Sequence, residues 1–502
     1  MLIPLNLEEM VPDDHLVRQV DEIINRIDTS ALDEQYQGGG TSAYHPVMLL
    51  KVILYAYSQR IFSSRRIAKA MRENIHFLWL SRMNQPDFRT VNRFRSVILR
   101  ETIEGLFTQL VEELLNMGLV DMEQYFVDGT KMEANANKYS FVWKKSTENY
   151  KAKLQENVKT LLDEVETVQE WEEGVYGERD LNEMEGGKEI TSEDLQRVAD
   201  KLDEVLRKGP ENKIVKRVKK KLATDFIPRQ KKYEQYEATF EGRNSFSKVD
   251  KDATFMRMKD DHMRNGQLKA GYNIQTGTQN QFILNYSLHR RAGDTSCLQE
   301  HLEKFQRNAG RYPENLIADA GYGSEENYAY LERRGVAAFV KYQSFHYEQK
   351  RNYKKKKPYR AENMEYAPET DQYTCPQGKK LNYLFTKDVH SWNGYHSTRR
   401  IYECEDCSDC LVKTACTRSK YNRRIYRGEE LIRLRREAHE RLMSPKGVKH
   451  RRKRGIEVEA VYGQIKQNMG FRRFMLRGLD KVSTEWGILC MAHNLSKIAR
   501  AV

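Results

Sequence analysis

The sequence predicts a mixed α/β protein that begins with an all-α domain and carries two inserts. Apolar residues recur at three and four spacings up to about residue 119, which is typical of packed helices. After residue 253, runs typical of strands alternate with runs typical of helices. Two other segments differ in composition, one dense in Glu and Lys and one holding five of the seven cysteines.

These changes in pattern divide the 502 residues into six segments. They are a helical N-terminal domain (1–119), the first strand of a core (120–143), a helical hairpin insert (144–252), the continued core (253–342), a Cys-rich insert (343–449) and C-terminal helices of the core (450–502).

The N-terminal domain shows helical periodicity in Leu16–Ile27, Pro46–Tyr57 and Thr102–Leu115. Between them, short helices are joined by tight turns, and the helix that follows Asp87 is basic. Its arginines are Arg89, Arg93 and Arg95. This arrangement suits a helix-turn-helix domain that contacts DNA, and an ordinary helical bundle with a solvated basic face is the alternative.

The charge balance favours a polyanionic partner. Lys and Arg number 85 against 72 Asp and Glu, so the net charge is +13 and the pI is about 9.1. Nucleic acid is the first expectation, and a merely basic soluble protein is the alternative. The N-terminus lacks signal-peptide features, and Lys51 interrupts the most apolar helix-like run. We therefore expect a cytosolic protein with no membrane partner and reduced cysteines.

The first insert reads as two long antiparallel helices joined by the loop "GVYGERDLNEMEGG". Its basic run Asn212–Leu222 is typical of a solvated face, and a DNA-clamping arm is the alternative. In the continued core, "GYNIQT" and "FILNYSLHR" predict a hairpin. The runs "NLIADAGYG" and "VAAFVKY" predict two further strands, each preceded by a helix.

Two carboxylates follow apolar strands in the same way. Asp128 follows Tyr125–Val127, and Asp319 follows Leu316–Ala318. Ligands gather at strand ends in open α/β sheets, and adjacent strands would bring both acids together. Because close like charges are unfavourable without a cation between them, a hard divalent ion is expected here. The alternative is that each Asp only forms a turn.

A third carboxylate, Glu459, lies at the edge of the apolar stripe of the terminal helix. Lys466 follows seven residues later, about two α-helical turns, and so on the same face. Glu457 points elsewhere. Together the three acids predict a divalent-metal site for phosphoryl chemistry, with Lys466 as a phosphate contact.

Five cysteines of the second insert suit a zinc site. Cys404, Cys407, Cys410 and Cys416 are closely spaced, and Cys375 lies in a knuckle-like Cys-Pro-x-Gly turn. One of the five, with Cys375 the first candidate, would be spare. Reduced surface thiols are the alternative, and an iron–sulfur cluster is a poorer match. Cys297 and Cys490 are expected in the core.

The segment "FRRFMLRG" alternates aromatic residues with Arg472 and Arg473. It could grip phosphates and stack on bases, and a plain basic loop is the alternative. His493 and Asn494 on the last helix are expected to serve packing.

The chain resembles bacterial insertion-sequence DDE transposases at "FVDGTKMEANANKYSF", "HRRAGDTSCL", "LIADAGYGSEENYAYLERRG" and the segment from "VEAVYGQIKQNMGFRRF" to "MAHNLSKI". The segments "VPDDHLVRQVDEII" and "YHPVMLLKVILYAYSQRIFSSRRIAKAMREN" resemble the InsH-type N-terminal transposase domain. The resemblance implies a ribonuclease-H-like mixed sheet. It implies that Asp128, Asp319 and Glu459 form the catalytic triad and bind Mg²⁺ or Mn²⁺.

One signature departs from that family. Many relatives carry Tyr, Arg, Glu and Lys on the last helix, whereas here the Tyr and Arg positions hold Arg452 and Gly455. Arg451 or Arg454 is the candidate replacement for the arginine.

The implied function is a transposase that binds the terminal inverted repeats of its element and cleaves and transfers DNA strands by two-metal phosphoryl transfer. Its partners would be double-stranded DNA of the transposon ends and the target, with a homodimer in the synaptic complex and association with the bacterial nucleoid. The alternatives are a DNA-binding regulator with a decayed core and a ribonuclease-H-type nuclease without strand transfer.

Overall fold

The computed structural model describes residues 6–36, 44–173, 189–208, 212–258, 266–391 and 393–501, which form two units. The first unit comprises Met1–Thr130, Asn273–Leu476 and Asp480–Val502, and the second comprises Lys131–Tyr272 and Arg477–Leu479.

The N-terminal part of the first unit is helical, as predicted. Its helices are α1 (Leu7–Met10), α2 (Leu16–Arg26), α3 (Ser30–Asp33), α4 (Pro46–Ser58), α5 (Ser64–Glu73), α6 (Ile75–Leu80), α7 (Phe88–Arg93) and α8 (Leu99–Asn116). A π-helical turn, Phe94–Ile98, joins α7 to α8. Even the one charged residue of α4, Lys51, is buried, because its ammonium group donates to Asp21 and Asn25, both at 2.6 Å.

A mixed sheet carries the predicted core. Its strands are β1 (Gln124–Glu133), β4 (Thr254–Arg257), β5 (Leu268–Gln279), β6 (Phe282–His289), β7 (Asn315–Ala318) and β8 (Ala337–Val340). The strand order is β4-β5-β1-β7-β8, and β6 also pairs with β5. Strands β1, β7 and β8 are parallel, and the helices α13 (Leu298–Ala309) and α14 (Glu325–Arg333) precede β7 and β8. The mixed α/β prediction is confirmed and is consistent with a ribonuclease-H-like core.

The predicted hairpin of β5 and β6 is also confirmed. It turns at Asn280 and Gln281, whose φ angles are 51° and 63°. Two successive positive φ angles are typical of a type I′ turn, which matches the twist of the strands. The strand β5 therefore runs further into the polar segment than the sequence predicts.

In its described residues the second unit has four helices, the two that the sequence predicts and two further ones that follow them in the chain. The elements are β2 (Phe141–Trp143), α9 (Lys144–Glu173), α10 (Ser192–Lys208), α11 (Lys213–Lys221), α12 (Ile227–Phe240) and β3 (Ser245–Ser247), with a π-helical turn at Leu222–Phe226. The predicted loop "GVYGERDLNEMEGG" lies outside the described residues. A Gly-Pro pair follows α10 in the sequence, and proline cannot continue a helix because it lacks the N–H donor.

The basic run of the bundle lies on α11. Val215 and Val218 are buried in the core with Leu154 of α9 and Leu195 of α10. Charged residues between these two valines are exposed, which is the arrangement expected of a solvated helix face.

The Cys-rich insert contains a second sheet that the sequence analysis does not predict. Its strands, in the spatial order β13-β12-β11-β10-β9, are β9 (Glu365–Ala367), β10 (Gln372–Thr374), β11 (Lys380–His390), β12 (His396–Cys404) and β13 (Arg424–Arg427). The short helices α15 (Phe345–Glu348), α16 (Tyr353–Lys356) and α17 (Lys413–Cys416) accompany it. Because β11 is exposed along nearly its whole length, it lacks the alternation that marks a half-buried strand. We call residues 365–427 the Cys-rich lobe.

The C-terminal part returns to helices. These are α18 (Glu429–Met443), α19 (Pro445–Arg454), α20 (Ala460–Gly463) and α21 (Leu479–Ala501), with π-helical turns at Gly455–Glu459 and Gln464–Asn468. Helix α21 is a core element, since Trp486, Leu489 and Leu495 have no exposed surface. Within the described ranges, no helix has both the length and the apolar character needed to cross a bilayer.

Candidate active site

The parallel strands place three charged residues at one level of the sheet. Strands β1 and β7 pair up to Val127 and Ala318, and β8 pairs with β7 up to that same level. The residues that follow on the three strands are Asp128, Asp319 and Lys341. The two acids predicted to be neighbours therefore follow paired residues of adjacent strands. The sequence analysis did not consider Lys341, although it follows an apolar strand in the same way.

Contrary to the prediction, Asp128 does not lie at a strand end, because β1 continues beyond it to Glu133. Of the two strands that lead to the predicted aspartates, only β7 stops at this level, where the carboxylate of Asp319 accepts a hydrogen bond from the backbone N–H of Gly321 at 2.8 Å. Asp128 is consequently buried, and the Tyr462 hydroxyl donates to its backbone carbonyl at 2.8 Å. This contact ties α20 to the sheet at the position of the first acid.

Glu459 is connected to Asp128 through Arg454. The guanidinium Nη2 of Arg454 donates to Glu459 Oε1 at 3.1 Å, and its Nη1 lies 3.9 Å from Asp128 Oδ2. The π-helical turn Gly455–Glu459 explains this contact, because a π turn brings residues five apart into line. Of the two candidate replacements for the family arginine, Arg454 is therefore the one that contacts Glu459.

A fourth carboxylate, Asp294, lies beside the first two and was missed by the sequence analysis. Its Oδ1 accepts hydrogen bonds from Asn273 Nδ2 at 2.8 Å and from Gln275 Nε2 at 3.0 Å. A Cβ atom at Gly129, the residue after Asp128, would lie 2.4 Å from the same oxygen. Asp294 follows no apolar run, so the strand-end pattern could not find it. The available signal was the polar pair of β5, since buried polar residues two apart on a strand share one face.

Several of these acids shift the pKa of the buried Tyr322 phenol. Burial raises its pKa, and the charges of Asp294, Asp128 and Asp319 raise it further. Its hydroxyl donates to Gln275 Oε1, whose amide also holds Asp294. These contacts place the three aspartates around one buried tyrosine.

The charged groups around Lys341 shift the pKa of its ammonium group. Burial lowers the pKa of its ammonium group, the cations Arg454 and Arg451 lower it further, and Asp319 and Glu459 act in the opposite direction. The third predicted acid is thus electrostatically coupled to the strand-end residues, although its side chain remains 57% exposed.

The donor set suits a hard divalent cation, because carboxylate oxygens are the ligands that Mg²⁺ and Mn²⁺ prefer. In the part of the chain that the structure describes, no three His, Cys, Asp or Glu side chains are arranged to hold one ion. Arg454 supplies the positive charge between Asp128 and Glu459, and its Nη1 is buried without a hydrogen-bond partner. An unsatisfied buried donor is unfavourable, so Arg454 loses little by leaving this position to a metal ion.

The basic residues near the C-terminus differ in exposure. Arg472 and Arg473 are exposed, as a DNA contact requires, whereas Lys466 is buried. The prediction that Lys466 shares the face of Glu459 assumed an uninterrupted α-helix. The π-helical turn Gln464–Asn468 adds a residue to that helix and changes the register.

The aromatic residues of the same segment are not available for base stacking. Phe471 and Phe474 are each 1% exposed and pack against Trp486, with ring centroids 6.5 and 6.3 Å from it. The stacking interpretation is therefore wrong for these two rings, which anchor the loop to α21.

The three arginines of the N-terminal domain that are predicted to contact DNA also differ in exposure. Arg89 and Arg93 are exposed on α7, but Arg95 is buried in the π-helical turn that follows. The Arg95 guanidinium donates to the Tyr57 hydroxyl at 2.9 Å and to the Phe62 carbonyl at 2.7 Å. Arg95 is therefore removed from the predicted DNA contacts, because its charged group faces the interior.

His493 and Asn494 serve packing, as predicted. The Asn494 amide pairs with both backbone groups of Ile283 on β6, at 2.9 and 2.8 Å. The His493 ring contacts the Gln281 carbonyl at 3.0 Å. Helix α21 thus satisfies the backbone at the start of β6. The prediction that Cys297 and Cys490 are core residues is likewise confirmed.

The Cys-rich lobe has the knuckle-like turn predicted at Cys375. The backbone N–H of Gly378 donates to the Cys375 carbonyl at 2.9 Å, and the Cys375 N–H donates to the Lys379 carbonyl at 2.8 Å. Gly378 has a φ of 81°, which only glycine adopts readily.

The cysteines of the lobe are neighbours in space. Cys404 and Cys407 are buried in its core, and Cys375 packs against them. Burial, then the adjacent Cys407, raise the pKa of Cys404 to about 12. Burial also raises the pKa of Cys416, and Cys407, Cys375 and Cys410 raise it further. Thiols that interact in this way can supply soft ligands to zinc.

Two family models match the chain. Residues 374–499 match a transposase DDE domain, and residues 5–97 match a transposase domain (DUF772). The first range includes Glu459 and most of the Cys-rich lobe, whereas Asp128 and Asp319 precede it.

No curated protein and no solved structure matches the chain. The two family matches, on a mixed α/β fold, support an insertion-sequence DDE transposase.

Proposed function

We propose that the chain is an active transposase that binds the terminal inverted repeats of its own element and cleaves and joins DNA strands. One observation carries this proposal. The paired strands β1 and β7 bring Asp128 and Asp319 to one level, and Arg454 links Asp128 to Glu459. Three acids that are separated by long stretches of sequence would thus form one site.

The carboxylates of Asp128, Asp319 and Glu459 would hold Mg²⁺ or Mn²⁺ in this site. When bound, two such ions would supply Lewis-acid activation of the attacking water or DNA 3′-hydroxyl and of the leaving oxygen. The carboxylates need not transfer a proton. Lys341 and Arg454 provide positive charge beside the acids, where it would stabilise charge that develops on the phosphate.

The proposed DNA contacts are the exposed arginines. Arg472 and Arg473 follow the last acidic helix, and Arg89 and Arg93 lie on α7 of the N-terminal domain. The net charge of +13 supports binding of both the transposon ends and the target duplex. A homodimer would bring two ends together in the synaptic complex.

The test incubates the purified full chain in Mg²⁺ or Mn²⁺ with a DNA fragment that carries the element's own terminal repeats and with a supercoiled target. We expect cleavage at the repeats and joining to the target. Asp128→Asn and Asp319→Asn should each lower cleavage by at least about a hundredfold, because each removes a charge needed in the transition state. Glu314→Gln, which removes an exposed carboxylate before β7, is the matched control and should cleave normally.

The same assay separates the alternatives. Cleavage without joining would indicate a ribonuclease-H-type nuclease. Repeat binding without cleavage would indicate a regulator with a decayed core. Unchanged cleavage by Asp128→Asn would show that the site is assigned to the wrong residues.

We also propose that the Cys-rich lobe binds zinc through four of its five cysteines. Elemental analysis of the purified protein should find about one zinc per chain, since structural zinc sites take four ligands. Cys404→Ser should lose that zinc, whereas Cys490→Ser, in the core of α21, should keep it. A protein without zinc, or equal zinc in both variants, would contradict the proposal.

A further inference from the structure

Asp294 belongs to the segment between β6 and α13, which the strand-end pattern does not cover. Its carboxylate is half-buried, and its position is set by two amides of β5. Asn273 and Gln275 both donate to Oδ1, so this oxygen is held against the strand. The other oxygen, Oδ2, lies 3.8 Å from the position of a Cβ atom at Gly321.

Gly321 and Gly129 show how closely Asp294 approaches the predicted acids. A Cβ atom at Gly321 would lie 2.9 Å from Asp319 Oδ1, the oxygen that Asp319 turns toward the same glycine. A Cβ atom at Gly129 would overlap Asp294 Oδ1 at 2.4 Å and Gln275 Nε2 at 2.6 Å. Gly129 directly follows Asp128, and Gly321 lies two residues after Asp319. The carboxylate of Asp294 lies beside both glycines, and at Gly129 it occupies the space that a side chain would fill.

The amides of Asn273 and Gln275 are themselves fixed. Gln275 Nε2 also donates to Asn273 Oδ1 at 3.2 Å, and Gln275 Oε1 accepts from the Tyr322 hydroxyl. Both amides are buried. An aspartate needed only to cap the turn before α13 would not require two buried amides from another strand. This support instead holds one oxygen in place and leaves the other beside Gly321, whose backbone N–H donates to Asp319.

The charges of the site favour an additional carboxylate at this position. Two divalent cations carry four positive charges, whereas three carboxylates carry three negative ones. A fourth carboxylate adds negative charge and oxygen ligands of the type that hard cations prefer. We propose that Asp294 is a fourth carboxylate of the metal site, and that it binds a divalent cation together with Asp128 and Asp319.

This inference rests on the proposed function, so its test measures metal binding by itself. Metal-free full-length protein is titrated with Mn²⁺, and the free ion is followed by electron paramagnetic resonance. We expect Asp294→Asn to weaken Mn²⁺ binding by about tenfold or more, as Asp319→Asn does, because even residues that only support metal ligands have effects of this size. Glu314→Gln should bind as the unmodified chain does.

Asparagine keeps the shape of the side chain and can still accept from both amides, so Asp294→Asn should fold. A second measurement on the unmodified protein needs no variant. Fe²⁺ in place of Mn²⁺, with ascorbate and peroxide, cuts the backbone next to its ligands. We expect cuts beside Asp128, Asp319 and Asp294.

The outcomes separate the two proposals. Weaker Mn²⁺ binding in Asp294→Asn, with cuts beside Asp294, supports the inference. Normal binding in Asp294→Asn while Asp128→Asn and Asp319→Asn lose it, or cuts that spare Asp294, overturns the inference and leaves the proposed function intact. Mn²⁺ binding that no aspartate variant changes overturns the metal site itself.

Discussion

Two arginines of the first unit each face a carboxylate, and their surroundings differ. Arg95 is buried and uses four of its five N–H groups, which donate to Tyr57 Oη, Phe62 O, Ser64 Oγ and Asn92 Oδ1. The carboxylate of Glu485 lies 3.9 Å away, and the Tyr57 hydroxyl donates to it at 3.0 Å. Glu485 also accepts from two backbone N–H groups of the preceding loop, at 2.9 and 3.0 Å.

Arg454 has fewer partners. It makes one hydrogen bond, to Glu459, in the part of the chain that the structure describes, and its Nη1 has none. Asp128 lies 3.9 Å from that nitrogen, which is beyond hydrogen-bond distance. Glu459 is more than half exposed.

The difference separates a well-paired buried arginine from one with few partners. A buried charge that is well hydrogen-bonded stabilises one arrangement, and removal of either partner is strongly unfavourable. An arginine with few partners can release its carboxylates to a metal ion and pair with a phosphate instead. The Arg95 group should therefore control stability, and the Arg454 group should control metal binding. Three predictions test this contrast.

The largest effect is expected at the structural pair. Arg95→Met leaves Glu485 buried without its cation, so the free energy of unfolding should fall by about 3–5 kcal/mol in urea denaturation. Arg93→Met, two residues earlier and exposed, should change it by less than about 0.5 kcal/mol. Similar small losses in both variants would remove the basis of the comparison.

A smaller effect is expected at His493, a second buried polar group of α21. Burial lowers the pKa of His493 from 6.5 to about 4, although its contact with the Gln281 carbonyl opposes the shift. The unfolded chain therefore binds this proton more readily, and stability should fall by about 2–3 kcal/mol as the pH decreases from about 6.5 through about 4.

His493→Gln should flatten the pH dependence in this window when the free energy of unfolding is measured at several pH values. Other buried histidines, such as His301, titrate in both proteins, so the difference between the two curves is the relevant quantity. Identical curves would show that His493 does not contribute.

The smallest stability effect is expected at the functional group. Arg454→Met should change the free energy of unfolding by less than about 1 kcal/mol, because its one hydrogen bond is to Glu459, whose side chain is 57% exposed. The increase in melting temperature caused by Mn²⁺ should persist or grow, since the competing cation is gone. A loss of stability as large as that of Arg95→Met, or loss of the Mn²⁺ effect, would contradict the contrast.

Much of the local structure could be predicted from neighbouring residues. Asp87 caps α7 by accepting from the Thr90 N–H at 2.8 Å, and Ser324 caps α14 in the same way at 3.2 Å. Gly310, with a φ of 70°, ends α13. Such signals depend only on the residues within one turn, so the sequence displays them directly.

Predictions failed where spacing was assumed to be regular. The placement of Lys466 beside Glu459 presumed 3.6 residues per turn, and the π-helical turn Gln464–Asn468 changes that count. The exposed strand β11 was not predicted, because a strand without a buried face shows no alternation of apolar and polar residues. The burial of Arg95 could not be read from its charge, because its partner Glu485 is almost four hundred positions away.

By itself the sequence determined the helical N-terminal part and the strands that carry Asp128 and Asp319. These features arise from local periodicity and from apolar runs, which any short window of the chain contains. Only the tertiary structure decided that Asp294 joins the two aspartates, that Lys341 lies beside them and that Arg454 faces Glu459. Those contacts depend on strand register and on helix irregularities, which distant residues set through packing.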